Sequence, residues 1–109
     1  MTSPKECVEL ESKLVERGLN APRVTPQSIE AKIKNVEYHL VQTSSGRKFM
    51  YCYITLENGF EVTGKPSVCV SGKNFCEETG REISYKNAFS ECFGFEAYLL
   101  AEKIHKGEV

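Results

Sequence analysis

The chain has 109 residues, 40% apolar and 27% charged, a balance that fits one globular domain over 1–109 and excludes a disordered or multidomain protein. Lys and Arg total 14 against 15 acids, a net charge of -1, so the chain lacks the basic excess through which nucleic-acid polymer binders gain affinity. One small phosphate ligand stays open, because it needs only two or three well-placed cations.

All 15 acids are Glu, and there is no Asp or Trp. Asp-based triads and Asp-built Mg²⁺ or Ca²⁺ sites are thereby excluded. The cysteines are Cys7, Cys52, Cys69, Cys76 and Cys92, an odd count without a Cys-x-x-Cys pair. The polar start Met1-Thr2-Ser3-Pro4-Lys5-Glu6 lacks a signal-peptide pattern. Together these predict a cytoplasmic protein whose thiols act as small hydrophobes. No apolar run approaches a membrane span.

Ser3-Pro4-Lys5-Glu6 reads as a helix start, with Ser3 as N-cap and Glu6 as its capping-box partner. Cys7, Leu10 and Leu14 follow at helical spacing and Gly18 closes the helix. Thr25-Pro26 repeats the start signal, and Ile29, Ile33 and Val36 make one stripe, predicting a second helix near Pro26 to Asn35. The period then changes to two from Tyr38. Ser44-Ser45-Gly46-Arg47 predicts a turn, and Phe49 to Leu56 has strand composition. Glu57-Asn58-Gly59 predicts a hairpin. A three-residue loop with Gly59 left-handed pairs Ile54 with Val62 and Leu56 with Phe60. That register gathers Cys52, Ile54, Leu56, Phe60 and Val62 on one apolar face, and leaves Tyr51 and Tyr53 on the other.

Pro66 puts the short strand Val68-Cys69-Val70 at an edge. Asn74, with Glu77 three residues on, resembles an N-cap for a helix running to about His105. Ile83, Asn87, Ala88, Cys92, Phe95 and Leu99 fall near one face, and Gly80 and Gly94 are places for a break or bend. The expectation is an α+β fold: two N-terminal helices, a small antiparallel meander, and one long or kinked C-terminal helix packed on the sheet.

No metal-ligand spacing surrounds His39 or His105, and no cofactor motif appears. Cys76 near a helix start has a favoured thiolate, opposed by Glu77 and Glu78. Ser71-Gly72-Lys73-Asn74 fails as a Walker loop, yet a Lys beside a helix start suits a small anion. Arg81 and Asn87 lie within about 120° of each other on the helix. Asn87, on or beside the apolar stripe, needs a hydrogen-bond partner, either a strand or loop or else a ligand or subunit. Tyr51, Tyr53, Phe75 and Tyr85 suit stacking on a base as well as packing. Phe93, Phe95 and Tyr98, close to Leu99 and Leu100, spread apolar surface over a wide arc, which favours burial on the sheet or in a homo-oligomer.

Several stretches carry a resemblance over nearly the whole chain, in order. They are Pro22-Arg23-Val24-Thr25-Pro26, Leu56-Glu57-Asn58-Gly59-Phe60-Glu61-Val62-Thr63-Gly64, Cys69-Val70, Asn74-Phe75, Gly80-Arg81, Asn87-Ala88 and Tyr98-Leu99-Leu100. The chain resembles the phage gene-49/gene-66 family of small tailed-phage proteins. It departs at Cys76, where the family often has an acid, and at Ser84, where Ala is usual. Its size and element order are also similar to the phage anti-Thoeris sponge proteins. That likeness implies a non-enzymatic homo-oligomer in the host cytoplasm that sequesters cyclic ADP-ribose-type immune signals, or cyclic oligonucleotides, without cleaving them. The ligand residues expected on this basis are Lys73, Asn74, Phe75, Arg81, Tyr85 and Asn87. Lys73 and Arg81 would hold phosphates, Phe75 or Tyr85 would stack on a base, and Asn87 would read a polar edge. The alternative is a small phage protein that binds and inhibits a host protein.

Overall fold

In the computed structural model residues 22–69 and 76–109 are described, so the expected helix over Ser3 to Gly18 lies outside the described residues. The Thr25-Pro26 signal starts a helix as read. Thr25 caps it, its side chain accepting from the Ser28 N–H at 3.0 Å while Ser28 Oγ accepts from the Thr25 N–H at 3.0 Å. This helix, α1, spans only Pro26–Glu30.

The expected continuation to Asn35 is wrong, because strand β1 covers Ile33–Gln42. Its pairing with strand β2, Lys48–Leu56, explains the error. Ile33 opposes Leu56, but Asn35 opposes Thr55, so one extra residue enters β1 at this point. Such a bulge turns both Ile33 and Val36 to the same side of the sheet, although they are three residues apart. A spacing of three in a bulged strand mimics the stripe of a helix.

Two left-handed glycines make the hairpins. Gly46 (φ 89°) closes the β1–β2 turn, where the Thr43 N–H donates to Arg47 O at 2.9 Å. Gly59 (φ 89°) closes the next, where the Leu56 N–H donates to Phe60 O at 2.8 Å. Strand β3, Glu61–Thr63, then pairs Val62 with Ile54, the register expected from the apolar pattern. Strand β4, Ser67–Val68, pairs on the same side of β2, Ser67 opposite Met50. Between β3 and β4 the pairing slips by one residue at Gly64-Lys65-Pro66. The result is a four-stranded antiparallel sheet with β2 in the middle.

Helix α2 runs unbroken over Glu77–His105, so neither Gly80 nor Gly94 splits it. Its N-cap is Cys76; the expected cap, Asn74, lies outside the described residues. The inward face also differs from the expected stripe. Gly80, Ser84, Ala88, Phe89 and Cys92 are buried, while Ile83, Phe95 and Leu99 are 43%, 48% and 41% exposed. Four of the five buried residues are small and recur every four positions, a ridge that lets the helix lie close to the sheet. At Gly64 the approach is closest: a Cβ there would stand 2.5 Å from Asn87 O. Asn87 fixes this contact by donating from Nδ2 to Lys65 O at 2.9 Å. Buried Ser84 satisfies its hydroxyl on Gly80 O at 2.7 Å, so the ridge carries no orphan donor there.

The core joins Ile29, Cys52, Ile54, Leu56, Val62, Ala88, Phe89 and Cys92. Among the described residues no helix is long and apolar enough to cross a membrane.

Two glycines test this packing in opposite directions. Gly64→Ala should cost roughly 3 kcal/mol, the upper part of the overpacking range, because the obstacle is helix backbone and cannot yield. Gly94→Ala, on an exposed helix position with nothing near the new Cβ, should add about 0.5–1 kcal/mol. Urea unfolding of both variants reads the two values.

Candidate functional site

Helix α2 packs on β2, β3 and β4 and hardly on β1, so the β1 flank of the inner sheet face is left open. Inner-face Tyr38 and Leu40 of β1 stay 36% and 43% exposed. A groove of about 330 Å³ lies there, lined by Glu30, Tyr38, Glu82, Tyr85, Lys86 and Phe89. Its volume falls in the lower part of the range of small-ligand sites.

The groove has an aromatic wall and a charged rim. Tyr85 tilts on Phe89 with ring centroids 5.7 Å apart, and Phe89 meets Phe93 edge-on at 5.7 Å. Burial first, then the neighbouring Cys52, raises the Tyr38 hydroxyl pKa, while the Arg81 guanidinium pulls it back. Burial likewise raises Tyr85, with Glu30 next in weight. Both phenols are therefore neutral hydrogen-bonding groups at physiological pH. On the rim Lys86 pairs with Glu82 at 3.3 Å, and nearer the helix start Arg81 pairs with Glu77 at 3.4 Å. These are exposed helix-surface pairs that an anion can exchange at little cost.

Beneath the aromatic wall lie two core thiols. Burial, then Cys92, pushes the Cys52 thiol up to about 11, and burial, then Glu96, pushes Cys92 up to about 11. Protonated thiols of this kind are poor nucleophiles.

The expected site residues divide. Tyr85 lines the groove; Arg81, one helical turn before it, does not line it, although its charge reaches Tyr38. Asn87 points to the other flank of α2, where it bonds Lys65 O. Lys73, Asn74 and Phe75 lie outside the described residues. Tyr51 and Tyr53 face away from α2, stacked at 6.4 Å, with His39 edge-on to Tyr53 at 5.3 Å. Tyr38, Glu30, Lys86 and Phe89 were not expected at the site. Tyr38 was the accessible signal, because strand alternation puts it opposite Cys52 on the apolar face, where a phenol is out of pattern.

A second cleft, about 150 Å³, lies between α1 and the distal half of α2 and includes Arg23, Ser28, Lys32, Glu96 and Lys103. Lys32 and Glu96 meet there at 2.6 Å, 29% and 12% exposed, and tie the start of β1 to α2. Among the described residues no three metal-ligating side chains gather.

A model of the phage protein (N4 Gp49/phage Sf6 gene 66) family matches residues 24–104, every described element of the sheet and nearly all of α2. The chain belongs to this family. No curated protein and no solved structure matches it. The match covers α1, the groove and, apart from Arg23, the second cleft.

The core thiols and groove phenols make stability depend on alkaline pH. Cys52 and Cys92 ionise near 9 when unfolded and about 11 when folded. Their raised folded values contribute stability that is complete below pH 9 and is lost as pH rises toward 11. Urea midpoints should therefore fall across that window, and less steeply in Cys92→Ala compared with its own value at pH 7.

Proposed function

We propose that this phage-family protein captures a small cyclic nucleotide signal, of the cyclic ADP-ribose type, and holds it without cleaving it. The observation that carries this reading is the groove between β1 and α2. Its Tyr38–Tyr85–Phe89 wall suits the flat face of a base, Lys86 in its lining suits phosphate, and Arg81, whose charge reaches Tyr38, would add a second cation beside it. Lys73, Asn74 and Phe75 enter the proposal from the sequence pattern alone. Asn87 enters it indirectly, by fixing the helix against Lys65.

Homo-oligomerisation belongs to the same proposal. Tyr98, Leu99 and Ile104 are 70%, 41% and 51% exposed around the distal part of α2, apolar side chains that packing of a second copy against this segment would cover. A cytoplasmic site of action is part of the proposal too, since the signals concerned are made there.

The second reading, inhibition of a host protein, draws on the opposite sheet face, where Tyr51, Tyr53 and His39 cluster.

The test mixes purified protein with cyclic ADP-ribose isomers and cyclic di- and trinucleotides, removes unbound ligand, denatures the protein and identifies what is released by chromatography. Intact ligand should appear only after denaturation. Arg81→Ala and Tyr85→Ala should each weaken capture by on the order of tenfold or more, equivalent to about 1–3 kcal/mol for a lost stacking or phosphate contact. Tyr51→Ala, on the far face, should leave capture unchanged. Capture that survives both groove variants sinks the site. No capture of any ligand, together with a host protein retained by the wild type and lost from Tyr51→Ala, moves the function to the second reading.

A further inference from the structure

On the flank of α2 opposite the groove is a cavity of about 190 Å³ between the end of β4 and the start of the helix. Cys69 and Cys76 both line it, with Thr79 and Ile83 as further walls. Both cysteines are reduced; Cys76 is exposed and Cys69 half-buried. What the structure brings together is two thiols, from the end of β4 and the start of α2, on the wall of one cavity.

Cys76 is the N-cap of α2, with extended backbone (φ -120°, ψ 117°). At this position the N–H groups of the first helical turn have no partner within the helix, and their partial positive charge favours a thiolate. The Thr79 N–H, then the Thr79 hydroxyl and the Glu78 N–H, hold its thiol below the ordinary value, although the Glu78 carboxylate opposes them. Cys52 and Cys92, buried in the core, are shifted the other way. Thiolate character and access therefore coincide at Cys76, with a second thiol in the same cavity.

We propose that Cys76 and Cys69 form a peroxide-responsive dithiol, Cys76 as the attacking thiol and Cys69 as the resolving one. The Cys76 thiolate attacks one oxygen of hydrogen peroxide. The O–O bond breaks, and the departing hydroxide takes a proton to become water, leaving a sulfenic acid on Cys76. Cys69 then attacks the Cys76 sulfur. The S–O bond breaks, the oxygen leaves as a second water with the Cys69 proton, and the disulfide forms. Two electrons pass from the thiols to the peroxide. The bond ties the end of β4 to the first turn of α2, on the opposite side of the helix from the proposed nucleotide groove.

The experiment uses the full chain in a Cys7→Ser background, so that every remaining thiol is a described one. The protein is treated with dilute hydrogen peroxide, the residual thiols are blocked, and a non-reducing tryptic digest is read by mass spectrometry. The expected product is a Cys69–Cys76 bridge within one chain. Cys76→Ser should abolish it and slow initial labelling by monobromobimane at neutral pH by roughly tenfold. Cys69→Ser, with Cys69→Ala as a second version, should stop at a Cys76 sulfenic acid that dimedone traps. A bridge from Cys76 to any other cysteine, no bridge at all, or unchanged labelling in Cys76→Ser overturns the proposal.

Discussion

Everything in this fold depends on how closely α2 can lie against the sheet. The ridge Gly80, Ser84, Ala88 and Cys92 is small enough to bring helix backbone almost onto the strand connection at Gly64. That contact lies between β3 and β4, at the slip in pairing, and Asn87 locks it through Lys65 O. Large side chains do the filling elsewhere. Phe89 plugs the core beside Ile29 and Ile54, where a full aromatic ring contributes several kcal/mol by leaving water.

The open groove follows from the same contact. A helix pulled toward β3 and β4 has no side chains left to cover β1, so Tyr38 and Leu40 keep an accessible inner face. The groove is thus a consequence of asymmetric docking, and its aromatic wall is shared with the core through Tyr85 and Phe89. A site built this way is rigid on one side, because its wall cannot move without disturbing the core. The Lys32–Glu96 pair anchors the far end of the same helix, so α2 is held to the sheet along most of its packed length. Beyond it the helix carries exposed Tyr98 and Ile104.

The cysteines divide by their surroundings. Cys52 and Cys92 sit where a charge would be desolvated, and both remain protonated packing groups. Cys76 sits where helix N–H groups favour a charge. That contrast is what sets Cys76 apart from the two core thiols as the reactive group of the proposed dithiol.

The sequence by itself determined whatever depends on neighbours in the chain. Thr25-Pro26 set the start of α1, Gly46 and Gly59 set the turns, and the alternation around Asn58-Gly59 set the register of Val62 on Ile54. Tertiary structure decided the rest. Ile33 and Val36 joined β1 because pairing with β2 and a bulge outweighed a weak local stripe. The inward face of α2 rotated away from Ile83 and Phe95 toward Ser84 and Ala88, because close backbone approach favoured small residues over larger apolar ones. Tyr38 joined the groove and Asn87 left it for the same reason: which flank of a helix faces which strand is fixed by docking, and no local spacing encodes it.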